Sequence, residues 1–138
     1  MQKKILIVDD TKSWLLFHKD LIHQLYGDLF EIITADSATE AMDVIRHNSE
    51  NPFCLIISDL QMETAYEPKL AGEWLVEHVK NMPSYSRTPI VLISAMYNIE
   101  HIAQTLGVEC ISKTLLIHNN LLMKFMFEKL MPFLTKID

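Results

Sequence analysis

Glycine is scarce. The chain of 138 residues holds three, Gly27, Gly72 and Gly107, all far apart. That spacing excludes a phosphate-cradling G-x-x-x-x-G-K-[ST] loop and a dinucleotide-binding G-x-G-x-x-G turn. Cysteine is scarcer still. Cys54 and Cys110 lie in apolar runs, with no C-x-x-C pair or Cys/His cluster. Reduced, buried, structural thiols are expected, and neither a disulfide nor a zinc site. Basic residues are outnumbered, 12 Lys plus Arg against 18 Asp plus Glu, and the formal charge of −6 repels phosphate backbones and anionic lipid. Neither nucleic acid nor membrane is an expected partner. The N-terminus passes from Ile5-Leu6-Ile7-Val8 straight into Asp9-Asp10, too short a stretch for a signal peptide or a membrane span, so a cytoplasmic location is expected.

What is present is the balance of a soluble globular protein, 49% apolar against 22% charged residues. The length fits one domain over residues 1–138, with no repeat, low-complexity segment or linker, and with no output domain expected. Four apolar runs, residues 5–8, 30–34, 53–58 and 90–94, read as strands buried on both faces, and residues 109–112 as a weaker fifth. Between them lies helical spacing. Trp14, Leu15, Phe17, Leu21, Ile22 and Leu25 mark a first helix closed by Gly27. Ser37 with Glu40 is a capping-box signature opening a second helix that runs to about His47. A third is expected over 70–82 before Pro83, a short fourth over 98–106 before Gly107, and a fifth over 117–130, with Pro132 ending or kinking the chain. Strict alternation of this kind predicts a doubly wound α/β domain, a five-stranded parallel sheet covered on both faces by five helices. Its chemistry is expected beyond the carboxyl ends of the strands.

Those ends carry Asp9 and Asp10 after the first strand, Asp59 after the third, Ser94 at the fourth and Lys113 after the fifth. Taken singly, each is readily a helix cap or a solvated loop residue. Jointly they compose a site. Clustered carboxylates repel unless a cation sits among them, and hard oxygen ligands suit Mg²⁺. A carboxylate with a free oxygen can attack phosphorus, while a metal, a lysine and a hydroxyl neutralise the transferred phosphoryl oxygens. The set is complete for phosphoryl transfer to an aspartate.

In these residues the sequence resembles the receiver domains of two-component response regulators, of the chemotaxis type. The resemblance runs from Ile5-Leu6-Ile7-Val8-Asp9-Asp10 through Leu55-Ile56-Ile57-Ser58-Asp59-Leu60-Gln61-Met62 and Val91-Leu92-Ile93-Ser94-Ala95 to Lys113. It implies a flavodoxin-like topology and a signalling domain rather than an enzyme, one that assists its own phosphorylation and dephosphorylation. By the same resemblance Asp59 is the phosphoacceptor, and Asp9 and Asp10 bind Mg²⁺ directly or through water. The backbone carbonyl of Gln61 adds a metal ligand, Ser94 is the switch hydroxyl, and Lys113 pairs with the phosphoryl group. The donor is a histidine kinase or a phosphotransfer protein. The new charge rearranges a docking face around the fourth and fifth helices for a downstream protein target.

Several positions depart from that pattern. Glu63 stands where the family has proline, and residues 63–71 make a longer loop than usual, read as shield, partner contact or tolerated insertion. Cys110 replaces the aromatic switch residue, leaving Tyr97 as the nearest aromatic, and Thr114 replaces the proline after the lysine. Met96 and Gln61 hold the positions that tune acyl-phosphate hydrolysis in the family. The stretch from Leu121 to Leu134 is apolar over more than one face, which reads equally as a homodimer surface through helices four and five or as a terminal helix packed with methionine. The six histidines show no ligand pattern and are read as surface or structural residues. Two further readings stand beside the phosphorylated switch. One is a degenerate receiver acting as a phosphorylation-independent interaction module. The other is an aspartyl phosphatase, which Gln61 argues against by breaking the D-x-D pair.

Overall fold

The computed structural model describes residues 2–62 and 71–134. The long loop expected over 63–71 lies outside them but for Ala71, as does Leu70, the expected first residue of the third helix. Five strands, β1 (Lys3–Val8), β2 (Phe30–Ala35), β3 (Leu55–Asp59), β4 (Ile90–Ser94) and β5 (Glu109–Ser112), pair in parallel in the order β2-β1-β3-β4-β5. Every residue of β3 and β4 is buried, which is why residues 55–57 and 90–93 read as unbroken apolar runs.

The helices are α1 (Lys12–Tyr26), α2 (Ala38–His47), α3 (Ala71–Lys80), α4 (Ile99–Leu106), α5 (Lys113–His118) and α6 (Leu121–Leu134). Side chains alternate across the strands and so divide between two cores. Leu6, Val8, Ile56 and Leu92 pack with Ala41 and Ile45 of α2 and Leu75 and Val79 of α3. Ile5, Ile7, Ile57 and Ile93 pack on the other face with Leu21 and Ile22 of α1 and Met123 and Phe127 of α6. The Phe127 ring, fully buried, stacks on Tyr26 at 5.2 Å between centroids, a burial that stabilises by about 1.5–3 kcal/mol.

Local signals set most boundaries. Gly27 takes φ 58° and its N–H reaches the His23 carbonyl, closing α1, while Gly107 at φ 72° closes α4 in the left-handed conformation. Ser37 Oγ accepts from Glu40 N at 3.0 Å. The Glu40 side chain reaches back to Asp36 N at 3.3 Å, one residue earlier than the capping box requires.

The C-terminal region differs from expectation. One helix over 117–130 was predicted; two are present, separated by Asn119 and Asn120. Ser112 Oγ accepts from Leu115 N at 3.4 Å, so α5 begins at Lys113, and Asn119 Oδ1 accepts from Leu121 N at 3.1 Å, starting α6 afresh. Pro132 does not end α6, which includes it and reaches Leu134. Only two residues follow the proline in that helix, and Leu134 is fully buried against the α1 face, so packing outweighs the lost hydrogen bond. The two cysteines are free as expected but half-buried rather than fully enclosed.

Candidate functional site

Parallel register brings the strand ends level. Val8 pairs with Ser58, Asp59 with Ile93, and Ser94 with Ser112, so Asp9, Asp59, Ser94 and Lys113 follow one another across the carboxyl rim of four adjacent strands. The order β2-β1-β3 makes the gap between β1 and β3 the point where the winding reverses, the place where such sheets form a crevice. Asp9 and Asp10 stand on one side of it and Asp59 on the other.

The side chains converge. Carboxylate oxygens of Asp9, Asp10 and Asp59 lie within 4.8 Å of one another, with Asp9 and Asp59 buried and Asp10 exposed. Lys113 Nζ stands 3.0 Å from Asp9 Oδ2 and 3.2 Å from Asp59 Oδ2. The Asp9 carboxylate is shared, for its other oxygen accepts from Thr11 N at 2.9 Å and so fixes the turn into α1. Two buried carboxylates against one ammonium leave an excess of negative charge. Burial accordingly pushes the Asp59 carboxyl up to about 6; Lys113 pulls it down, Asp9 pushes it up, and hydrogen bonds from Lys113 and the Gln61 backbone N–H lower it.

Ser94 is completely buried at the end of β4, and its hydroxyl accepts from Met96 N at 3.1 Å. Gln61 is exposed and touches the site through its backbone N–H. Gly72 closes the floor: its N–H donates to the Leu60 carbonyl at 3.0 Å, and a Cβ there would meet the Asp59 carbonyl oxygen at 2.3 Å. The end of β3 is thereby pressed against the start of α3.

Two residues of α1 belong to this neighbourhood, although the sequence had read them as helix-face and structural residues. Lys113 Nζ lies over the Trp14 ring, 4.8 Å from its centroid. The Trp14 ring in turn packs against His18, at 5.5 Å between centroids. His18 is buried, its Nδ1 has no hydrogen-bond partner, and burial, assisted by Lys113, holds its pKa down at about 4, so the imidazole is neutral. The only sequence signal for either is a position on the first turns of the helix that Asp9 and Asp10 introduce.

No family model and no curated protein matches the sequence. Solved structures do. The phosphorylated cyanobacterial phytochrome response regulator RcpA aligns with 100% of this chain over 98% of its own, at 23% identity and a TM-score of 0.71. The signal receiver domain of a DNA-binding response regulator from Colwellia psychrerythraea covers 94% of this chain and 98% of its own, at 18% identity and a TM-score of 0.75. The chemotaxis response regulator CheY4 of Vibrio cholerae covers 82% and 88%, at 23% identity and a TM-score of 0.66. The fold is the receiver fold.

Within the receiver fold the departing positions can now be placed. Tyr97 is 98% exposed on the loop after β4. Cys110 is half-buried in β5, its thiol pushed up by burial and by Glu100 and Glu109. It lines a groove of about 320 Å³ between α4, β5 and α6, with Ile99, Leu115, Leu122, Phe125 and Met126. Thr114 is exposed in the first turn of α5. Among the described residues no helix is long and apolar enough to cross a membrane.

Proposed function

We propose that this chain is a receiver domain that accepts a phosphoryl group on Asp59. The observation that carries the proposal is the placement of Lys113 Nζ at 3.0 Å from Asp9 and 3.2 Å from Asp59, beside a third carboxylate, at the carboxyl rim of a receiver sheet. An Asp59 carboxylate oxygen attacks phosphorus on a phosphohistidine of a histidine kinase or phosphotransfer protein. The P–N bond breaks, its electron pair returns to the imidazole, and an acyl phosphate forms. With a pKa of about 6, Asp59 is mostly ionised at neutral pH, so the nucleophile needs no separate base. Lys113 then faces the transferred oxygens. The Ser94 hydroxyl, now an acceptor from Met96 N, donates when it turns toward them.

The donor set fits Mg²⁺. All three side chains offer hard oxygens within 4.8 Å of one another, and the exposed Asp10 leaves a side open to solvent. Asp9, Asp10, Asp59 and the Gln61 carbonyl would hold the ion, which when bound supplies positive charge to the phosphoryl oxygens. Catalysis here is confined to the protein's own phosphorylation and dephosphorylation, so the domain is a signalling switch and no enzyme toward a diffusible substrate. The output is a changed docking face for a downstream protein. The groove between α4, β5 and α6, flanked by the exposed Leu115 and Phe125, supports that face or self-association through the same helices. The net charge of −6 supports a partner that is neither nucleic acid nor membrane.

The test uses Mg²⁺ with acetyl phosphate. Wild type should gain one base-labile phosphoryl group by intact mass, and Asp59→Asn should not. A beryllofluoride mimic should raise the melting temperature of the wild type alone, with oligomer size read in parallel by gel filtration. The second reading, a phosphorylation-independent interaction module, is favoured by Cys110 and the fully exposed Tyr97 at the coupling positions. It takes over if the wild type gains neither phosphate nor mimic.

A further inference from the structure

Lys113 is held by more than charge. We infer that Trp14 is a positioning residue for Lys113, seating the ammonium for phosphoryl transfer to Asp59; the inference rests on the phosphoacceptor reading above.

A lysine stem has four rotatable bonds, and its ammonium is a point charge without the directional fork of arginine. Two carboxylates approach Lys113, at 3.0 and 3.2 Å. The Trp14 ring supplies a further contact at 4.8 Å from its centroid. That ring is itself braced, edge-on to Phe17 at 5.3 Å and tilted against the buried His18 at 5.5 Å. The arrangement also closes on itself. Asp9 binds Lys113 through Oδ2, while its Oδ1 accepts from Thr11 N, and the Thr11 carbonyl accepts from Trp14 N at 3.0 Å. One carboxylate thus sets both the lysine and the helix turn that carries the ring beneath it.

The two kinds of contact differ when the reaction occurs. Phosphorylation converts Asp59 into an acyl phosphate and changes the charge facing Lys113. The ring face does not change. Trp14 therefore keeps the ammonium at one place while its anionic partner is exchanged, which is what a group that stabilises the transferring phosphoryl requires.

The experiment compares phosphorylation rates with acetyl phosphate and Mg²⁺ in wild type, Trp14→Leu, Trp14→Phe, Lys113→Ala and Trp14→Leu/Lys113→Ala. Trp14→Leu should lower the saturating rate about three- to tenfold, the range of a partly desolvated cation–ring contact, with the half-saturating acetyl phosphate concentration unchanged. Trp14→Phe, which keeps a ring face, should recover most of the rate. In the Lys113→Ala background the leucine variant should cost nothing further. A second readout is independent of activity: the Lys113 ε-methylene protons should lie upfield by NMR through the Trp14 ring current, and return to ordinary positions in Trp14→Leu. The inference is overturned by a wild-type rate in Trp14→Leu, by an equal loss with and without Lys113, or by unshifted ε-methylene protons. A wild type that takes no phosphate overturns the functional reading and this role with it, even with the ring-current shift in place.

Discussion

Gly72 and Asp59 are pressed together so closely that a Cβ on the glycine would stand 2.3 Å from the aspartate's carbonyl oxygen and 2.7 Å from Leu60 Cα. Both obstacles are backbone, so neither can swing aside. Gly72→Ala should force α3 away from the end of β3, destabilising the fold by about 1–3 kcal/mol, the range for overpacking a tight core. Because that movement displaces Asp59, phosphorylation by acetyl phosphate should slow as well. Urea unfolding of the variant checks the first effect, and an unchanged midpoint would refute it.

Asp59 should weaken the fold when it is ionised. Its folded-state pKa, about 6, lies above the ordinary 3.8, so the native state holds this proton to higher pH than the unfolded chain does. Stability from this group is therefore greatest below 3.8 and declines as pH rises through 6. That shift already includes the attraction of Lys113, so the net effect of the charge is unfavourable. Asp59→Asn should be more stable than wild type at pH 7 without divalent ions by about 1–3 kcal/mol, and the gap should close on acidification. Parallel urea titrations across pH measure it.

His18 acts in the opposite sense. Its pKa is held down at about 4 from an ordinary 6.5, chiefly by burial and then by Lys113, so the unfolded chain takes this proton first. Stability from His18 is whole above 6.5 and is lost as pH falls toward 4. By NMR, its ring carbons should still show the neutral imidazole at pH 5.5. His18→Leu, which also removes the unpartnered Nδ1, should flatten the acid limb of the stability curve.

Removing Lys113 strands two buried carboxylates. Lys113→Met should destabilise the protein at pH 7 by about 2–4 kcal/mol, as expected for an uncompensated buried charge, and by much less at acid pH. If the three aspartates hold Mg²⁺, the ion should restore the melting temperature of this variant by more than it raises that of wild type. Differential scanning calorimetry with and without Mg²⁺ decides the matter.

Much of this was legible in the sequence because it depends on local chemistry. Apolar runs buried on both faces announced β3 and β4, and each was followed by a residue that the register carries to the rim. Ser37 and Gly107 marked their helix ends by the conformations they favour. The division of the last helix was less visible, since Ser112 had been counted as the end of a strand and its capping role appears only once Lys113 turns into α5. Nor could the Trp14–Lys113 contact be read. Both lie in segments whose periodicity is satisfied by core packing, and only the approach of α1 to the β5–α5 junction brings ring and ammonium together. His18 was obscured for the same reason, because an imidazole among apolar neighbours gives the same helical spacing whether it is solvated or enclosed.

The level strand ends carry a final consequence. The acidic, hydroxyl and ammonium groups come from four separate parallel strands, and none of the pairings among those strands is a local hairpin. Nascent or partly melted chains hold no assembled pocket, and distant pairings of this kind are slow to form. The proposed capacity to take a phosphoryl group therefore arrives only with the finished sheet, so a misfolded copy would lack it.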